Sequence, residues 1–153
     1  MPRTSLLVSV CLVLAAGCGV PSAEVQQEDT AQRLRSLAYA YGQFTVDNKR
    51  PPRNETELRE AVLRLKMGDP DTLLKSPRDG QPFVIVWGFD VRQTGAGYEG
   101  GNKANADSAG AVYIYERQGS DGHRYVLYTH GGVRLLPEAE LRQARFLGDH
   151  RPK

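Results

Sequence analysis

Ala111-Val112-Tyr113-Ile114-Tyr115-Glu116-Arg117, Gln118-Gly119-Ser120-Asp121-Gly122, His123-Arg124-Tyr125-Val126-Leu127-Tyr128-Thr129 decides the fold. Two β-branched and aromatic runs flank a short Gly- and Asp-containing turn, which is the pattern of an antiparallel hairpin. His130-Gly131-Gly132 then turns the chain again into Val133-Arg134-Leu135-Leu136, a third strand. Upstream, Phe83-Val84-Ile85-Val86-Trp87 is apolar on both faces, which predicts a central strand. Leu73 to Pro82 leads into it as a turn segment. Gln93 to Gly110, rich in Gly, Ala and Asn, reads as a loop.

Helical spacing dominates before these strands. Ala31, Leu34, Leu37, Ala38, Tyr41 and Phe44 form one apolar stripe. Asp29 or Thr30 would cap that helix, and Gly42 weakens its middle by up to about 1 kcal/mol. Two consecutive prolines, Pro51 and Pro52, prevent its continuation. Asn54 with Glu57 three residues on suits a capping box for a second helix, whose buried face is Leu58, Ala61, Val62 and Leu65. Gly68 is placed to end it. Asn54-Glu55-Thr56 also matches the glycosylation pattern, but the capping role explains it better. Pro137 opens a final helix where a missing N–H costs nothing. Its Glu138 and Glu140 suit the positive helix end, and Leu141, Ala144 and Phe146 would face the sheet. From Gly148 onward a polar, frayed tail is expected. Helices followed by hairpin strands predict an α+β fold, with N-terminal helices on a small antiparallel sheet of about four strands and a short C-terminal helix.

The N-terminus carries an address. Arg3 precedes an apolar run from Leu6 to Leu14, too short to span a bilayer, and Ala15-Ala16-Gly17 supplies small residues before Cys18. Leu12-Val13-Leu14-Ala15-Ala16-Gly17-Cys18 resembles a bacterial lipobox. Ala15 departs from it, because that position is usually Leu or Val. An ordinary secretory signal ending at a chance cysteine is the alternative. The resemblance implies cleavage between Gly17 and Cys18, a diacylglyceryl thioether on Cys18 and an N-acyl chain, giving the several apolar chains that durable anchoring requires. The cysteine usage agrees. Cys11 would be removed, and Cys18, the one thiol left, would be consumed by lipid, so no disulfide or cysteine metal cluster is expected. The resulting organisation is a signal peptide (1–17), a lipidated N-terminus with a flexible linker (18–28), an α+β domain (29–147) and a polar tail (148–153). The expected site is exported, facing a bacterial periplasm.

Charge excludes one class of partner. The chain has 20 Lys+Arg and 18 Asp+Glu; removing Arg3 with the signal leaves 19 against 18. That balance predicts no nucleic-acid footprint. Gly95-Ala96-Gly97-Tyr98-Glu99-Gly100 satisfies G-x-G-x-x-G, but Gly101-Asn102 follows where a helix is required, so no nucleotide is expected. His123 and His130, seven apart on or beside one strand, would face opposite ways if that strand were unbroken, a poor geometry for a shared metal. There is no Gly-x-Ser-x-Gly elbow, and Ser108 and Ser120 lie in loops without a matched base. No catalytic residue, cofactor or metal ligand is assigned.

Three segments together resemble the globular domain of type II secretion pseudopilins and prepilin-like proteins. They are Asp47-Asn48-Lys49-Arg50-Pro51-Pro52 after a helix, Ser76-Pro77-Arg78-Asp79-Gly80-Gln81-Pro82-Phe83 before a strand, and Tyr125 to Leu136 as a closing hairpin. The resemblance implies a shared scaffold. It does not extend to the Phe-Thr-Leu-x-Glu motif and long apolar helix of that family, so a filament spine is not implied. The family's calcium loop corresponds to a segment offering Glu99, Asn102, Asn105 and Asp107, oxygen ligands without a telling spacing. A solvated Gly-rich loop is the preferred reading there. The expectation is a membrane-anchored envelope lipoprotein acting as a non-catalytic binding or structural module on an envelope protein partner, through its edge strand and the Gly95–Gly110 loop. Two other readings stand beside it: a small membrane-tethered hydrolase using His130 or His123 with a nearby carboxylate, and an accessory subunit of a secretion or pilus-like assembly.

Overall fold

A computed structural model describes residues 22–91 and 110–152. Gly17, Cys18 and the Glu99, Asn102, Asn105 and Asp107 cluster lie outside them. The element order is three helices, four strands and a last short helix, an α+β fold as expected.

Helix α1 spans Ala23–Asn48. It starts earlier than Asp29 or Thr30, so much of the expected linker is helical. Ser22 caps it by accepting a hydrogen bond from Val25 N–H, and Ala23 to Glu28 include several good helix formers. The two residues expected as caps do interior work. Thr30 is fully buried and its hydroxyl donates to the Gln26 carbonyl at 2.7 Å, while Asp29 pairs with Arg33 one turn on, also at 2.7 Å. The predicted stripe is the buried face: Leu34, Leu37, Ala38, Tyr41 and Phe44 all face the core. Lys49, in the left-handed conformation, ends the helix ahead of Pro51.

Helix α2 covers Glu55–Arg64. Asn54 accepts from Glu57 N–H at 3.1 Å as predicted. The reciprocal half differs from a standard capping box, because Glu57 reaches Arg53 N–H and both terminal nitrogens of Arg50 at 2.8 and 2.9 Å. The helix ends before Gly68. Lys66 takes the left-handed turn, its N–H bonding to Leu63 O and the Met67 N–H to Val62 O, a Schellman ending built without glycine. A single turn that the sequence did not announce, α3 (Pro70–Leu73), follows, capped by Asp69.

The sheet is a meander, β1 (Val84–Ile85), β2 (Val112–Tyr115), β3 (His123–Tyr128) and β4 (Val133–Pro137), with neighbours antiparallel in that order. The Phe83–Trp87 run was expected to be central. It is instead an edge strand of two residues, β1, pairing with β2 alone. Its apolar character reflects what covers its faces, since Phe83 and Val86 are buried against the helices' core. The hairpin between β2 and β3 closes on Asp121-Gly122, both with positive φ, while Ser120 and His123 exchange backbone hydrogen bonds at 3.0 Å. This is the primed two-residue turn whose twist matches the strands.

Register shifts between Val112 and Ile114, so Tyr113 is an extra, bulged residue. Tyr113, Ile114 and Leu127 accordingly join Leu34, Leu37 and Tyr41 in the core beneath α1. Val112, Tyr115, Val126 and Leu136 form a second core with Leu141 and Phe146. The helices are therefore not confined to one face: α1 covers one side, and α4 (Glu138–Gln143) with the segment after it covers the other. Ala144 and Phe146 face this second core as predicted.

The segment just before the tail is docked on the sheet. Val112 N–H donates to Arg145 O at 2.8 Å and Leu147 N–H to Val112 O at 3.1 Å. Phe146 thus runs beside Val112 as a parallel bridge, along the part of β2 that the short β1 leaves uncovered.

Candidate functional site

Among the described residues, Glu116 is the one charged group with no solvent exposure. It follows β2 directly, and its side chain turns inward below the hairpin loop. Ser76 Oγ donates to Oε1 at 2.5 Å, and Arg78 and the Tyr125 N–H donate to Oε2 at 2.6 and 2.7 Å. The Arg78 guanidinium is itself enclosed and lies over the Tyr125 ring at 5.1 Å. Burial pushes the Glu116 carboxyl up, while the Ser76 hydroxyl, the Tyr125 N–H and the Arg78 charge pull against it. Asp79 completes the stitch by accepting from Gln118 and Gly119 N–H at 3.1 and 2.8 Å. The Ser76–Gln81 turn is thereby fastened to the β2–β3 loop. A carboxylate with three donors and no access to solvent is suited to holding two loops together.

Tyr41 has a comparable role across the other core. Its hydroxyl donates to Phe89 O at 3.1 Å, and burial pushes its pKa up to about 12.

The structure does not bring the predicted histidines together. His123 begins β3, exposed, with Nδ1 at 2.7 Å from the Asp121 carbonyl. His130 lies two residues beyond the other end of β3, exposed, stacked on Tyr128 at 5.4 Å with the rings 5° from parallel. Ser120 donates to Asp121 and touches no histidine through its hydroxyl. Ser108 lies outside the described residues. Among the described residues, no group of three His, Cys, Asp or Glu side chains is placed to hold a metal.

The third histidine is placed differently. His150 Nε2 lies 3.0 Å from the Tyr115 hydroxyl. Its ring packs at 5.6 Å from Phe146 and 5.8 Å from Tyr115, and those two rings meet edge to face at 5.5 Å. This aromatic cluster adjoins a cleft of about 440 Å³ whose lining includes Arg142, Arg145, Asp149 and Arg151. Burial pushes the His150 imidazole below its ordinary value and the Tyr115 hydroxyl above its own. The hydroxyl and Nε2 share one hydrogen bond, which leaves the second ring nitrogen, Nδ1, open to another partner. Sequence reasoning passed over this cluster. Its one signal was local: three arginines and a histidine within Arg142–Arg151.

No family model, curated protein or solved structure matches the chain.

Proposed function

We propose that the chain is an envelope lipoprotein, anchored to a bacterial membrane through lipid on Cys18, whose domain acts by binding or scaffolding an envelope protein. The observation that carries this reading is the Leu12–Cys18 stretch, whose cysteine is the one thiol that cleavage would leave, and the start of α1 sets the length of the tether. Four residues separate Cys18 from Ala23, and at about 3.5 Å per extended residue they reach less than about 20 Å. A domain on so short a tether stays at the bilayer surface. No helix among the described residues is long and apolar enough to cross a membrane, which accords with attachment by lipid. The Glu116–Arg78 pair, already engaged in joining two loops, and the separation of His123 from His130 favour a contact role over hydrolysis. Of the two edge strands, β4 is the longer and carries an exposed Leu135, a surface suited to a protein partner.

Replacing Cys18 by Ser tests the anchor. The variant is expected to lose labelling by radioactive palmitate and to move from the membrane to the soluble fraction. Unchanged labelling and partitioning would refute the reading. Crosslinking in intact cells should then capture an envelope protein through β4. A chain that turns over a hydrolase substrate and captures nothing would overturn the scaffolding role.

A further inference from the structure

We propose that the cleft between α4 and the C-terminal segment binds a phosphate group, presented by a small soluble molecule or by a lipid headgroup. The site stands independently of the anchor reading. Its walls are built from the chain's own structure: Arg145 and Leu147 are hydrogen-bonded to Val112 of β2, and Phe146 is buried in the second core. Gly148 turns with a φ of 60° where a side chain would strike the Phe89 ring. The volume, about 440 Å³, falls within the range of small-ligand sites, roughly 300–1,000 Å³.

Charge selects the ligand. Arg142, Arg145 and Arg151 line the cleft against one carboxylate, Asp149. Arg142 shares itself with Glu138 at 3.4 Å. Arg145 and Arg151 make no ion pair among the described residues. An arginine's planar fork matches the oxygens of a phosphate in bidentate fashion, with charge-assisted hydrogen bonds. His150 adds a directional donor. Nε2 is engaged by Tyr115, and Nδ1 has no partner among the described residues; in the tautomer or the imidazolium that carries a proton there, it donates to a phosphate oxygen. The Phe146 and His150 rings give the cleft an apolar side, as binding sites for small molecules commonly have.

The test is titration of the unacylated Cys18→Ser full chain with inorganic phosphate at constant ionic strength, followed by NMR on the His150 ring. A saturable shift is expected, absent with chloride. In Arg145→Gln/Arg151→Gln, whose changes lie on exposed side chains, apparent affinity should fall at least about tenfold, or about 1.4 kcal/mol, with the amide spectrum of the sheet unchanged. Shifts that never saturate, or that persist in the double variant, would overturn the proposal. The ligand's source is read with vesicles. Binding to phosphatidylglycerol vesicles but not phosphatidylcholine, lost in the double variant, supports a headgroup. Saturation by inorganic phosphate without vesicle binding supports a soluble phosphate compound.

Discussion

Removing the Arg78 charge should expose how the two loops are held. Arg78→Met keeps much of the side chain's bulk but leaves the Glu116 carboxylate enclosed with two neutral donors, the Ser76 hydroxyl and the Tyr125 N–H. Breaking a buried pair from one side costs about 3–5 kcal/mol, because the remaining charge is uncompensated. That is a large share of the roughly 5–15 kcal/mol that stabilises a domain. With a urea dependence of about 2 kcal/mol per molar, the midpoint should fall by about 2 M. Glu116→Gln alone should also destabilise, by about 3–5 kcal/mol, since it strands the enclosed Arg78 charge and points an amide donor at groups that themselves donate. In the Arg78→Met background the same change should stabilise, because it removes the stranded charge. This reversal of sign is a coupling of at least about 1 kcal/mol. The Arg78→Met loss should also depend on pH. Burial already raises the folded Glu116 carboxyl above its ordinary 4.5, and losing Arg78 raises it further. The folded variant then binds a proton that the unfolded chain has released, so the Glu116 contribution to stability is fully present below 4.5 and is lost as pH rises through the raised value. Urea titrations of the four proteins at about pH 5 and about pH 8 measure all of this. A loss below about 1 kcal/mol for Arg78→Met, or additive effects in the double variant, would refute the account.

Two further outcomes follow from local geometry. The Arg50 guanidinium, helped by the Arg53 N–H, holds the Glu57 carboxyl down at about 2. The stabilisation is present above the unfolded value near 4.5 and is lost as pH falls toward 2; in Glu57→Gln the acid limb of a thermal-midpoint titration should be shallower, and parallel limbs would contradict this. Gly119→Ala should cost more than about 1 kcal/mol, because φ is +71° and the new Cβ would sit 2.2 Å from the His123 carbonyl oxygen. Gly132→Ala meets only the His130 ring, which is exposed and able to turn aside, so its loss should be smaller. Equal midpoint shifts in urea for the two alanine variants would contradict the contrast.

Local patterning determined most of the elements. The stripe from Leu34 to Phe44, the Asn54 cap, the Asp121-Gly122 turn and the three strands after Gly110 are set by interactions within a few residues, so they are legible one segment at a time. The Leu12–Cys18 stretch, expected to act as an address, lies outside the described residues, so its reading rests on the sequence alone. Several features depended on tertiary structure. Phe83–Trp87 is apolar because helices cover it, and neighbour order, which no hydropathy pattern encodes, made it an edge. The bulge at Tyr113 shifts the alternation of β2, so the inward turn of Glu116 and its meeting with Arg78, thirty-eight residues away, could not be read from period-two spacing. The Arg145–His150 stretch gave no sign of its docking, because its contacts are made by backbone groups and by aromatic rings distant in sequence. Docking of Arg145–Leu147 beside β2 is what carries His150 to Tyr115 and gathers the arginines around one cleft.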